Sequence, residues 1–215
     1  MTIRIKCNDG AQRDRALSLA LSTARRGGLL IIPTEGMYAV VTDAFSIRGT
    51  SALREFKSLA PTVPLSILVP QVSTVSGITR RIPTAAQQLM EALWPGELTI
   101  LLEPGMTLSW DHPEDAPVAV RMPLHPLTLQ VLHTTGPLAS TGAHFTGQPL
   151  ITTAQDLDAL ECDDIALILD AGDLSNNSDT AVSSTVVDCT VEPPRVVRTG
   201  ACDLSTLQSV IPEIA

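Results

Sequence analysis

A chain of 215 residues can bury a core without disulfide or metal staples. Its 44% hydrophobic and 17% charged residues exclude a disordered polypeptide. Its net charge of −9 is the wrong sign for gripping a long phosphate backbone by counterion release, so direct RNA binding is doubtful. Only 3% of residues are aromatic, which leaves few platforms for stacked bases. Arg121, Arg195 and Arg198 can still make a local cleft for one small anion.

Asp9 is placed to cap a helix over 11–26, with Leu17, Leu21 and Ala24 inward and Gly27-Gly28 as its stop. The apolar run at 29–32 reads as a buried strand ending in Pro33-Thr34-Glu35-Gly36-Met37-Tyr38. Ligands of α/β sheets bind beyond strand ends, so Thr34 stands where a site is expected, with Glu35 and Tyr38 as its wall. A helix over 47–58, with Ile47, Leu53 and Phe56 inward, precedes a strand at 65–69. Thr84 is expected to cap a third helix carrying Leu89, Leu93 and Trp94, which Pro95-Gly96 ends before a strand at 97–103.

Beyond a Pro-rich, acidic loop at 104–117 the alternation continues. Strand 118–122, helix 126–134, strand 137–141, helix 152–160 and strand 165–170 are followed by strands at 183–189 and 195–198. The class is α/β, a single domain over residues 1–200 with a large mixed sheet flanked by helices, and 201–215 as a C-terminal tail. The polar loop 175–179 reads as a surface or lid segment. Cys7, Cys162, Cys189 and Cys202 show no ligand spacing and read as reduced thiols. The start of the chain lacks a signal-like apolar block and no apolar run reaches the ~20 residues of a bilayer span, so a cytoplasmic protein with no membrane contact is expected.

Phosphate-loop and dinucleotide fingerprints are absent, as are a nucleophile elbow and zinc-type histidine spacing. Asp170 and Asp173 flank the turn residue Gly172 and read as turn-shaping carboxylates rather than an acid-base pair. Strand ends instead combine hydroxyls with cations: Thr34, Arg121, Ser140-Thr141, Ser183 to Thr185, and Arg198. Hydroxyls supply neutral hydrogen bonds and guanidinium forks pair with carboxylate or phosphate, a set suited to a small anionic molecule.

The segments PTEGMYAVVTDAF (33–45), FKSLAPTVPLSILV (56–69), WPGELTILL (94–102), VAVRMPLHP (118–126), PLASTGAHFTGQP (137–149), SSTVVD (183–188) and VVRTG (196–200) resemble, in order and spacing, the YrdC-like threonylcarbamoyl-AMP synthases. That resemblance implies a twisted sheet around an open, concave cleft. It further implies condensation of L-threonine, bicarbonate and ATP, with Mg2+, into threonylcarbamoyl-AMP and pyrophosphate. The product feeds downstream machinery that modifies adenosine beside the anticodon of certain tRNAs. Carried onto matching positions, Thr34, Arg121, Ser140 and Ser184 line the threonine pocket, Lys57 and Arg198 face the nucleotide, and Lys57 and Arg121 are the catalytic cations.

The family's KxR and SxN signature reads here as Lys57-Ser58-Leu59 and Gly142-Ala143-His144. Losing one preorganised donor typically costs ~3 kcal/mol of transition-state stabilisation. His144 and Arg54, three residues before Lys57 on one helix face, are candidate replacements toward the nucleotide. Two functional classes therefore stand: a synthase with shifted cleft chemistry, and a lapsed paralogue that binds nucleotide, RNA or a partner without forming the adenylate.

Overall fold

The computed structural model describes residues 2–60, 63–106, 116–145, 147–158, 164–175 and 183–215. Residues 107–115 of the acidic loop, Cys162 and residues 176–179 of the polar loop lie outside them. The strands are β1 (Ile3–Lys6), β2 (Leu29–Pro33), β3 (Tyr38–Asp43), β4 (Ser66–Leu68), β5 (Leu98–Leu102), β6 (Val118–Arg121), β7 (Leu138–Gly142), β8 (Ile165–Asp170), β9 (Thr185–Asp188) and β10 (Arg195–Arg198). The helices are α1 (Gly10–Arg25), α2 (Ile47–Phe56), α3 (Thr84–Leu93), α4 (Pro126–Thr135), α5 (Ala154–Asp158) and α6 (Leu204–Val210).

The strands form one mixed sheet in the order β1-β8-β2-β3-β7-β4-β6-β5-β9-β10. Strand β2 explains why its sequence is apolar without alternation. Leu29 and Ile31 join one core cluster while Leu30 and Ile32 join another, because successive side chains point to opposite faces and both faces are covered. Leu53 of α2, Leu89 and Met90 of α3 and Leu207 of α6 belong to the first cluster. Ala16, Ala20 and Ala24 of α1 and Leu127, Val131 and Leu132 of α4 belong to the second.

The mixed α/β sheet with flanking helices is the expected class, and several details differ. Asp9 caps α1 as expected, accepting from Gln12 N at 2.9 Å. The buried stripe of α1 is Ala16, Ala20, Thr23 and Ala24, with Leu17 and Leu21 on its flank. Small side chains let the helix lie close to the sheet, whereas periodicity read from bulky residues rotates the face. Ile47 is 56% exposed because the buried stripe of α2 is Gly49, Thr50, Leu53 and Arg54. Pro83, without a side-chain cap, precedes α3, and Thr84 is its first residue.

Strands β1 and β3 lie outside the elements read from the sequence, and β3 returns antiparallel along β2 from the turn after Thr34. The segment 201–215 carries α6, and Leu207, Ile211 and Ile214 are buried. Cys7, Cys189 and Cys202 are unbridged thiols. Among the described residues, no helix is long and apolar enough to cross a membrane.

Candidate active site

Register decides which polar residues meet. Ser140 lies opposite both Val41 and Ser66, Ser66 opposite Ala119, and Leu68 opposite Arg121. Ala119 pairs with Leu101, and one strand further Val186 lies between Thr99 and Arg198. Directly opposed residues share a sheet face and so do residues two apart. Ser66, Thr99, Arg121, Ser140 and Arg198 therefore project from one face, the one that α1 and α4 cover over β8, β2 and β3. A cavity of about 320 Å³ opens there. Thr34, Arg121, Ser140, Ser184, Arg198 and His144 all line it, as do Thr99 and Ser66, whose signal was a hydroxyl on the alternating face of an apolar strand.

Arg121 is held from two sides. Its Nε donates to Gly96 O at 2.9 Å and its Nη2 to Glu35 Oε2 at 2.5 Å. Glu35 also accepts from Leu124 N. The guanidinium is thus oriented before any ligand arrives, which is what makes it an effective anion fork. Glu35 is the counter-ion of Arg121 rather than a residue of the cleft wall. Beside them the Glu97 carboxyl is pushed up, first by burial and further by Glu35, with Arg121 opposing.

Thr34 donates through Oγ1 to Met37 O at 2.6 Å, so its hydroxyl presents lone pairs to the cleft. Thr128 of α4 donates to Pro33 O and ties this turn to the helix below. Ser184 Oγ and Thr99 Oγ1 are 2.8 Å apart. Arg198 bends back on Ser184, donating from Nε and Nη2 to its carbonyl at 3.1 and 2.8 Å and from Nη2 to its Oγ at 3.2 Å. Burial and the Arg121 guanidinium lower the pKa of Arg198.

The remaining candidates take other positions. Tyr38 is fully buried, and its hydroxyl donates to Gly172 O at 2.8 Å and accepts from Ala171 N at 3.0 Å, away from the cleft. Burial, the leading cause, pushes its pKa up to about 12. Arg54 is buried on the inner face of α2 and donates from Nη1 to Ala60 O at 3.2 Å and Val63 O at 2.5 Å. Lys57 donates from Nζ to Gly142 O at 2.9 Å and to His144 O, and burial lowers its pKa. Neither cation is among the residues lining the cavity. Asp170 pairs with Arg4 at 3.1 Å and accepts from Gly172 N, the turn-shaping role expected of it.

The Sua5/YciO/YrdC family model, described as "telomere recombination", matches residues 22–200. The chain belongs to the Sua5/YciO/YrdC family. A relative in Mycobacterium tuberculosis, named a putative threonylcarbamoyl-AMP synthase, is 32% identical over 212 residues, 98% of this chain and 96% of its own length. The crystal structure of Pyrococcus abyssi Sua5 complexed with L-threonine superposes with a TM-score of 0.88 at 27% identity, over 100% of this chain. The alignment spans 62% of that longer protein. Escherichia coli YciO shares the fold, with a TM-score of 0.79 at 21% identity, over 96% of this chain and 100% of its own. In this Sua5/YciO/YrdC member, Leu59, Gly142 and His144 all line the cavity.

Proposed function

We propose that the chain is an L-threonylcarbamoyladenylate synthase. It would use L-threonine, bicarbonate and ATP and release pyrophosphate, supplying the tRNA-modifying machinery downstream. The observation carrying this reading is the convergence of Thr34, Arg121, Ser140 and Ser184 on one cavity, in a fold whose Pyrococcus abyssi relative has been crystallised with L-threonine. The oriented Arg121 fork would take the threonine carboxylate, and the hydroxyls of Thr34, Ser140 and Ser184 its amine and hydroxyl. Arg198, held on Ser184 by its hydrogen bonds, would face the triphosphate as charge builds on the leaving pyrophosphate. Catalysis in such a cleft is positioning and electrostatics rather than covalent chemistry by a side chain.

Magnesium is not assigned to protein ligands. No Asp or Glu lines the cavity, and among the described residues no group of three or more His, Cys, Asp and Glu forms. A divalent cation arriving with ATP would be held by the phosphate oxygens and water, with no carboxylate of the cavity wall added to them.

The lapsed-paralogue reading draws on Leu59, Gly142 and His144 in the cavity wall. One assay separates the two. Purified protein with ATP, magnesium, bicarbonate and L-threonine should release pyrophosphate, and leaving out threonine or bicarbonate should abolish the release. Threonine binding by calorimetry with no pyrophosphate formed would favour the lapsed paralogue.

A further inference from the structure

The cavity wall carries cations and no acid. Arg121 and Arg198 line it among hydroxyl residues, and no Asp or Glu does. Such a wall balances a carboxylate and leaves an ammonium without a counter-charge. Glu35 is taken up by Arg121 and by Leu124 N. Glu97, the next acid beside the guanidinium, is not.

Glu97 directly precedes β5 and continues its ladder toward β9. Thr185 N donates to Glu97 O at 3.0 Å, which sets Glu97 beside Ser184. Thr99, two residues on, lines the cavity, and Leu98 between them is buried in the core cluster of the other face. Alternation therefore turns Glu97 to the cavity side. On its other flank the Arg121 guanidinium is anchored on Gly96 O. Arg121 attracts the Glu97 charge without pairing with it, because its ion pair is with Glu35. Among the described residues the half-buried Glu97 carboxylate accepts no hydrogen bond, and neither of its oxygens is closed off from solvent. Glu97 thus stands just outside the cavity wall, between the Arg121 fork and Ser184, with its charge unpaired. Burial opposes that charge, an unfavourable arrangement that a bound cation offsets.

We propose that Glu97 is the counter-ion of the substrate's α-ammonium, so that the site selects an amino-acid zwitterion over a carboxylate alone. The carboxylate lies on Arg121, the ammonium on Glu97, and the hydroxyls of Thr34, Ser140 and Ser184 add neutral hydrogen bonds. Arg121 and Arg198 against Glu35 and Glu97 make this end of the cleft neutral as a whole. That balance matches a zwitterion and leaves a bare carboxylate with no net attraction, which is how a site discriminates between the two. The inference deepens the synthase reading of the cavity and rests on it.

Calorimetry of the full chain with L-threonine and, separately, with 3-hydroxybutyrate, which is threonine without its amine, tests it. The parent should bind L-threonine about tenfold more tightly or better, the scale of one charge-assisted hydrogen bond. Glu97→Gln should lose that preference, with L-threonine weakened about tenfold and 3-hydroxybutyrate bound as in the parent. The variant keeps the size of the side chain and removes no side-chain hydrogen bond from the fold; thermal melting reports that it is folded. Equal weakening of both ligands would mean that Glu97 acts only by orienting Arg121, and would overturn the proposal. A parent that binds the two ligands alike, or a preference that survives in Glu97→Gln, overturns it while leaving the synthase reading intact. A parent that binds no L-threonine overturns both.

Discussion

Arg121 and Glu35 form an ion pair whose side chains are 13% and 9% exposed. Taking away one partner leaves a desolvated charge without its counter-ion, which typically costs about 3 kcal/mol or more. Glu35→Ala should lower unfolding free energy in urea by about that amount and weaken L-threonine binding, because the guanidinium loses its orientation. Glu97 behaves in the opposite sense. Its folded-state pKa is raised by burial, so ionisation works against the folded state once pH rises through that value. The stabilising contribution is complete only below the ordinary value of 4.5. Glu97→Gln should therefore raise the melting temperature at pH 7, and the gain should fade as pH drops below 4.5. A gain that persists at low pH would mean that the effect is steric.

Among the elements, the contact between β9 and the chain following β10 deserves the closest test. A Cβ on Gly200 would stand 2.5 Å from Ser184 C and from Thr185 N, and closer still to Ser183 O. The backbones are stapled side by side: Ala201 N donates to Ser183 O at 3.2 Å, Cys202 N donates to Thr185 Oγ1 at 3.0 Å, and Thr185 Oγ1 donates to Cys202 O at 2.6 Å. Ser184, in the middle of this seam, carries both the cavity hydroxyl and the carbonyl that holds Arg198. Gly200→Ala must push the two segments apart, at an overpacking cost of about 1–3 kcal/mol. We expect a lower melting temperature together with weakened L-threonine binding; a variant that loses stability but binds normally would show that Ser184 can be displaced without harm.

The elements also show why some were legible. Strand β2 announces itself as an apolar run bounded by Gly28 and a polar turn, and α1 by Asp9 and Gly27, whose φ is +67°. Strand β3 is masked by the turn that starts it, because Tyr38 belongs at once to the conspicuous polar segment and to the strand. The faces of α1 and α2 are legible in part: Ala24 and Leu53 are buried as expected and Phe56 packs on the core, whereas Ile47 is exposed. Apolar side chains mark a stripe only where the packing surface leaves room for bulk, and on α1 the closest approach is made by alanines.

For the molecule as a whole, α6 fastens the far end of the sheet. Leu207, Ile211 and Ile214 are 0%, 3% and 2% exposed, and Val196 of β10 donates to Ala215 O at 2.6 Å. Burying side chains of this size contributes about 2 kcal/mol each, a large share of the about 5–15 kcal/mol by which domains are stable. A chain ending at Gly200 should lose cooperative thermal unfolding or fail to stay soluble. Cooperative unfolding at the parental temperature would show that α6 is dispensable.

Composition, the alternation of strand and helix, and the ordered run of motifs were enough to determine the fold class and the family, since these are properties of the chain read locally and in sequence. They also placed Thr34, Arg121, Ser140, Ser184, Arg198 and His144 among the candidates that the cavity gathers. What they could not express is which groups are already occupied. Lys57, Arg54 and Arg121 are similar cations on paper. Only the packing of α2 against the β7 turn commits the first to carbonyls 85 and 87 residues away, and only the β4–β6 register brings the last into the cleft with Glu35 behind it. Hydrogen bonds between distant segments depend on how sheet and helices close on one another, and that closure leaves no trace in local sequence.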